Sequence, residues 1–208
     1  MLASPSLHHL SPTRGSLSDW TGRYEKRLSE LEGSYGDAAA FARMRAAGDP
    51  VVYAVEDVRP SASPGDLVFG VTWMAPGRIG DEFFLTRGHI HARPDRPEIY
   101  RGEAGQGVIL MEAPDGRIET RVLVAGATVY VPPRWIHRSV NTGPEPLVMT
   151  FAYPADAGQD YSIISRSNGM AVRILAAGAG WAAVPNPAYR PRSSAEVAAL
   201  MAAPQAAG

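Results

Sequence analysis

From residue 50 to about residue 161 the chain is a series of short apolar runs cut by Gly- and Pro-rich turns, and this punctuation constrains the fold more than any other feature. VVYAVEDVR (51–59), LVFGVTWMAPG (67–77) and EFFLTRGHIHA (82–92) read as strands, and PEIYRGEAGQGVILMEAPDG (97–116) reads as two strands around a Gly-rich turn. β-Branched and aromatic residues suit a pleated, half-buried surface. Short strands at a spacing of about 8–12 residues mark a sandwich or closed barrel. The 21 glycines and 18 prolines are too many for a mainly helical chain and suit tight turns. The expected fold class is all-β.

Helical periodicity is confined to the N-terminal side. Ser18 and Asp19 would cap a helix over 21–33, with Trp20, Tyr24, Leu28 and Leu31 at helical spacing and Gly33 ending it. A second helix is expected over 36–48, with Phe41 and Met44 three apart and Gly48 as its stop. Both would pack outside the barrel or at a dimer interface. Residues 1–18 read as a disordered or loosely docked arm, 19–190 as a single domain, and 191–208 as a flexible tail with a weak helix. MAVRIL (170–175) adds a late strand.

With 20 basic and 21 acidic residues the net charge is −1, so nucleic acid is not an expected partner. No apolar run approaches the roughly 20 residues of a membrane span. The opening MLASPSLHHLSPTRGS lacks the apolar stretch of a secretory signal. A soluble, cytoplasmic protein is expected. There are no cysteines, so a metal site would have to use nitrogen and oxygen ligands.

Three of the five histidines fall in two segments, GHIHARPDRPEIY (88–100) and VYVPPRWIHRSVNTG (129–143). A strand has a side-chain period of two, so His89 and His91 face the same side with Cα atoms about 7 Å apart. Glu98 follows a Pro-broken turn, and His137 arrives from a separate strand behind Pro132 and Pro133, which set its aim. A His pair on a strand is, by itself, more often surface decoration or core packing. Here a carboxylate and a third imidazole accompany it, and together they make a divalent metal site with open positions. Imidazole suits Fe, Mn, Ni, Co, Cu and Zn, and a carboxylate favours Fe(II), Mn(II) or Ni(II), with Zn(II) a rival. One ion per subunit is expected, Fe(II) first. His8 and His9 lie in the arm without such context.

These residues resemble the cupin superfamily, whose first motif carries G-x-H-x-H with a later Glu and whose second carries Pro and His before Asn. Within it, TRGHIHARPDRPEIYRGEAGQG (86–107), VYVPPRWIHRSVNTGPEP (129–146) and YPADAGQDY (153–161) are similar to the cupin-type glucose-6-phosphate isomerases, over about residues 24–189. The resemblance implies a double-stranded β-helix barrel with short N-terminal helices outside, a homodimer, and interconversion of glucose 6-phosphate and fructose 6-phosphate in glycolysis and gluconeogenesis. It carries the metal ligands to His89, His91, Glu98 and His137, phosphate binding to Thr72, Thr86, Gly88 and Tyr153, and sugar contacts to Tyr100, Tyr161 and Tyr53. Glu98 is the candidate base for proton transfer through a cis-enediolate, and with Tyr153 it forms the candidate catalytic pair. A metal-assisted hydride shift is the rival route, and mannose 6-phosphate shares the enediol.

One departure stands out. The family usually has a His within YPADAG-x-DY, where this chain has Gln159, also counted among the substrate-binding residues. Gln cannot titrate near neutral pH, so any proton shuttling at that position would pass to water or a tyrosine. A metal-dependent dioxygenase and a non-catalytic sugar-phosphate-binding protein are the alternative functions.

Overall fold

In a computed structural model describing residues 4–202, the alternating segments form antiparallel strands. A short hairpin, β1 (Leu10–Ser11) and β2 (Ser16–Leu17), precedes β3 (Gly22–Arg27), a 3-10 turn (Leu28–Leu31) and helix α1 (Ala38–Gly48). Then come β4 (Val51–Val58), β5 (Leu67–Met74), β6 (Arg78–Ile79), β7 (Glu82–Phe83), β8 (Glu98–Ala104), β9 (Gln106–Glu112) and β10 (Ile118–Val124). The remainder is β11 (Thr128–Val131), β12 (Ile136–Asn141), β13 (Leu147–Pro154), α2 (Ser162–Arg166), β14 (Val172–Ala177), β15 (Gly180–Pro185) and α3 (Ser194–Ala202). No helix among the described residues is long and apolar enough to cross a membrane.

Two sheets make the barrel. One is six-stranded, in the order β11-β8-β13-β5-β4-β3, and the other is three-stranded, β10-β9-β12. A four-stranded sheet, β15-β14-β7-β6, flanks them. Ile109 and Leu110 on β9, Ile136 on β12, and Leu147 and Met149 on β13 are almost completely buried. Such burial is worth about 1.5–3 kcal/mol per large apolar side chain. Strand register decides which residues look into the cavity. Tyr100, Phe151, Gly70, Asp57 and Gly22 form one row across the large sheet, and Met149, Thr72, Val55 and Tyr24 form a second.

Two expectations need correction. Residues 22–27 are an edge strand, not a helix. Tyr24 and Lys26 pair with Val55 and Tyr53, and satisfying the open edge of β4 outweighs the helical spacing of Tyr24, Leu28 and Leu31. The segment 82–92 is not one strand. After β7 it forms no continuous ladder but isolated bridges at Leu85, His89 and Ile90, and Gly88 turns into the left-handed region at φ 73°. Helix α1 ends at Gly48, but the left-handed residue is Asp49. Its carboxylate, which accepts from Ser29 N and Oγ at 2.7 and 2.8 Å, holds a non-glycine there. At the other end Asp37 caps the helix by accepting from Ala40 N at 2.8 Å.

The β1–β2 hairpin and His8 just before it pack against the barrel. Leu17 is buried with Val58, Val71 and Val148, and its N–H donates to Glu56 at 2.8 Å. The His8 ring meets Phe69 edge-on. Leu17→Ala is expected to lower stability by about 2 kcal/mol, the low end for emptying a large apolar site. Urea unfolding would read this, and an unchanged midpoint would show that the hairpin adds nothing. At the other end α3 buries no residue, and the part of the tail expectation covering 203–208 lies outside the described residues.

Candidate functional site

Four side chains converge at the bottom of the barrel cavity. His89 and His137 face each other across a β-bridge and exchange main-chain hydrogen bonds, His89 N to His137 O at 3.0 Å and His137 N to His89 O at 2.9 Å. The two imidazole anchors are thus fixed backbone to backbone. His91 follows two residues on, and its ring centroid lies 5.3 Å from that of His89. Glu98 enters from β8, paired with Val131. Its Oε2 lies 2.9 Å from His137 Nε2, 3.2 Å from His91 Nε2 and 3.6 Å from His89 Nε2. One ligand atom from each of the four residues lies within 4.8 Å of the others, and all four residues are buried.

Two rings are oriented from behind. His91 Nδ1 meets the Arg96 carbonyl at 2.7 Å, and His137 Nδ1 meets the Trp135 carbonyl at 3.0 Å. A carbonyl only accepts, so each Nδ1 carries the proton and each Nε2 presents a lone pair to the shared centre. This is the usual outer support of a metal-binding histidine. The supports are themselves anchored. Arg96 forms two bonds to Asp156, at 2.9 and 2.7 Å, which holds the 93–97 turn in place. Arg134, left-handed at φ 70°, closes the Pro132–Trp135 turn ahead of His137 and donates its N–H to Pro94 O.

The donor set fits a divalent cation. The Nε2 atoms of His89 and His91 are buried and lack a hydrogen-bond partner among the described residues. Stranding buried polar atoms is costly, and a cation at their common focus removes the cost. Burial and the neighbouring His137 push the His89 pKa down to about 4, which keeps its lone pair available at neutral pH. Burial works to raise the Glu98 pKa, but the three histidines around it, His137 first, outweigh it and hold the carboxyl well below its usual range.

Above this centre the cavity is lined by every substrate-binding candidate of the sequence analysis: Thr72, Thr86, Gly88, Tyr53, Tyr100, Tyr153, Gln159 and Tyr161. Thr86 Oγ1 accepts from Ser139 N at 3.0 Å, which frees its own proton to point elsewhere. A side chain at Gly88 would sit 2.9 Å from Arg138 Cβ and 3.0 Å from the His137 carbonyl, so only glycine fits the turn. Tyr161 donates to Gln159 Oε1 and carries the exposed Arg87 guanidinium 4.7 Å above its ring. Burial raises the pKa of Tyr100, Tyr153 and Tyr53, the last two to about 12. The phenols therefore stay protonated and serve as neutral donors. His8 and His9 lie outside this cavity.

Some lining residues were not anticipated. Tyr24, Asp57, Arg59 and Ser139 all face the cavity. Tyr24 was missed because its segment reads as helix. Asp57 and Arg59 sit in strand and turn sequence with no motif to mark them, and Ser139 lies within 129–143 but is of a type that nothing there singles out.

Comparison with known proteins places this geometry. The family profile described as glucose-6-phosphate isomerase (GPI) matches residues 25–190. The glucose-6-phosphate isomerase of Sinorhizobium medicae (strain WSM419) is 50% identical over 201 residues, covering 96% of this chain and 94% of that protein. That of Pyrococcus furiosus is 44% identical over 140 residues, covering 67% of this chain and 74% of the relative. Among solved structures an oxalate oxidase matches with a TM-score of 0.45 at 20% identity, over 54% of this chain and 56% of that one.

Proposed function

The chain belongs to the glucose-6-phosphate isomerase family, and from that premise we propose that it interconverts glucose 6-phosphate and fructose 6-phosphate by proton transfer through a cis-enediolate. The observation that carries the reading is the meeting of four ligand atoms at one focus, below a cavity ringed by hydroxyl donors. His89, His91, Glu98 and His137 would hold one divalent cation, Fe(II) first, with Mn(II), Ni(II) or Zn(II) as alternatives. Such an ion supplies Lewis-acid stabilisation of the negative charge that develops on the substrate oxygens.

The rest falls to the chain's own groups. Aldose–ketose isomerisation moves a proton between C2 and C1, and the hard step is removing a weakly acidic C–H proton. Glu98 is ionised at neutral pH and buried at the floor of the cavity, which suits it to accept that proton. Its depressed pKa makes it a modest base, so positioning must contribute much of the rate. Thr72, Thr86, the Gly88 backbone and Tyr153 would bind the phosphate end, with Tyr53, Tyr100 and Tyr161 along the sugar. Tyr153, protonated at neutral pH, is the candidate partner to Glu98 for moving a proton at a substrate oxygen. Gln159, hydrogen-bonded to Tyr161, offers a fixed amide where an imidazole would titrate.

The test is a coupled assay in both directions across a panel of divalent metals, with chelation and reconstitution. Turnover of both sugar phosphates that is lost on chelation and restored by one or more ions is expected. Absence of turnover with every ion would overturn the reading. A homodimer and a place in glycolysis and gluconeogenesis belong to the same proposal. Light scattering tests the dimer.

A further inference from the structure

We propose that Arg59, clamped by the buried carboxylate of Asp57, is a phosphate-recognition residue of the cavity. The inference rests on the sugar-phosphate reading above and adds to it the cation that binds the phosphoryl group.

The geometry begins in the sheet. Asp57 stands in the row Gly22, Asp57, Gly70 across β3, β4 and β5, and it is only 2% exposed. A Cβ at Gly22 would sit 2.5 Å from Asp57 Oδ1, and one at Gly70 would sit 2.9 Å from Asp57 Cα. Gly22 thus leaves room for the Asp57 carboxylate, while Gly70 chiefly clears the Glu56 carbonyl and the Phe151 ring. A lone buried carboxylate is expensive, so it demands a partner. Arg59 supplies it just past the end of β4, with Nε to Oδ1 at 3.0 Å and Nη2 to Oδ2 at 2.6 Å. This two-point pairing fixes the plane of the guanidinium.

The fixed guanidinium faces the substrate end of the cavity. Arg59 Nη2 donates to Tyr153 Oη at 3.5 Å. An oxygen that accepts from Arg59 has its own proton left to donate into the cavity. Arg59 Nη1 has no protein acceptor among the described residues, so it remains available to a ligand. The other arginine along the cavity, Arg138, turns its Nη2 to the Arg87 carbonyl.

Charge explains why such a residue is needed. A phosphate monoester carries about −1.5 to −2 at neutral pH. Thr72, Thr86 and Tyr153 are neutral donors, and Asp57 and Glu98 are anions in the same lining. Asp57 left alone at the Tyr153 end would repel the phosphate. Arg59 offsets Asp57 and adds a charge-assisted donor beside Tyr153. Asp57 acts through Arg59 and is a positioning residue.

The test is steady-state kinetics with fructose 6-phosphate and calorimetric binding of inorganic phosphate, on the metal-loaded wild type and on Arg59→Ala, Arg59→Lys and Asp57→Asn. A charged hydrogen bond lost at a binding site costs about ten- to a hundredfold. Arg59→Ala is expected to raise KM and weaken phosphate binding by that factor, with kcat changed less than threefold. Arg59→Lys should recover part of the loss, and Asp57→Asn should shift KM in the same direction by less. Should Arg59→Ala leave KM and phosphate affinity within twofold, or lower kcat alone, the assignment is wrong while the isomerase reading stands. Should the wild type turn over neither sugar phosphate yet bind inorganic phosphate in an Arg59-dependent way, the isomerase reading fails and the phosphate site stands. Where Asp57→Asn disturbs folding, Arg59→Lys, on a half-exposed side chain, decides the question.

Discussion

His137→Ala is expected to lose bound divalent metal and isomerase activity together. His137 is 1% exposed, lies nearest to Glu98 at 2.9 Å, and has its lone pair directed by the Trp135 carbonyl. Alanine removes one of three nitrogen donors and leaves Glu98 without its nearest partner. Removing an outer-shell partner of a metal ligand typically costs about 10–100-fold in affinity or activity. Losing the ligand itself should exceed about a hundredfold in both. Elemental analysis of the purified variant and the coupled assay read the two effects, and circular dichroism checks that the barrel is intact. Full activity in a metal-free, chelated preparation of His137→Ala would refute the metal assignment.

Glu98→Gln separates the two roles of Glu98. The amide keeps the shape and an oxygen for coordination but cannot accept a proton from carbon. General-base catalysis is typically worth about 10²–10⁴-fold, so kcat should fall by that order while a large part of the metal remains. An unchanged rate would clear Glu98 of the base role and favour a hydride shift. The pH dependence follows from the direction of its shift. Glu98 is held well below the usual carboxylate range, so its ionised form persists as pH falls past the ordinary value near ~4.3 and is lost only in stronger acid. Wild-type activity should therefore show no loss assignable to Glu98 between about pH 5 and 8.

The parts of the site readable from sequence are those whose residue types are rare and do not substitute for one another. Imidazoles and a carboxylate without any cysteine left few ways to build a metal centre, and the spacing around His89, His91, Glu98 and His137 pointed to one place. The details of the backbone were less readable. Residues 82–92 look like one strand, yet Gly88 bends the chain and the two histidines share a face through a bridge to β12. Residues 22–27 carry helical spacing, yet an open sheet edge captures them. Asp57 and Arg59 could not be recognised at all. Asp57 lies between two glycines in a cross-strand row and holds Arg59 beyond the strand end, and register is invisible until the sheet is assembled.

The mutual main-chain bonds of His89 and His137 make the distance between two metal anchors a property of the barrel wall, not of side-chain choice. The inorganic centre and the organic lining are therefore separable inheritances. Exchanging threonines, tyrosines or Gln159 on the surrounding strands can retune which carbohydrate is accepted while the cage beneath stays as it is. A scaffold arranged this way can diversify its chemistry from the walls inward.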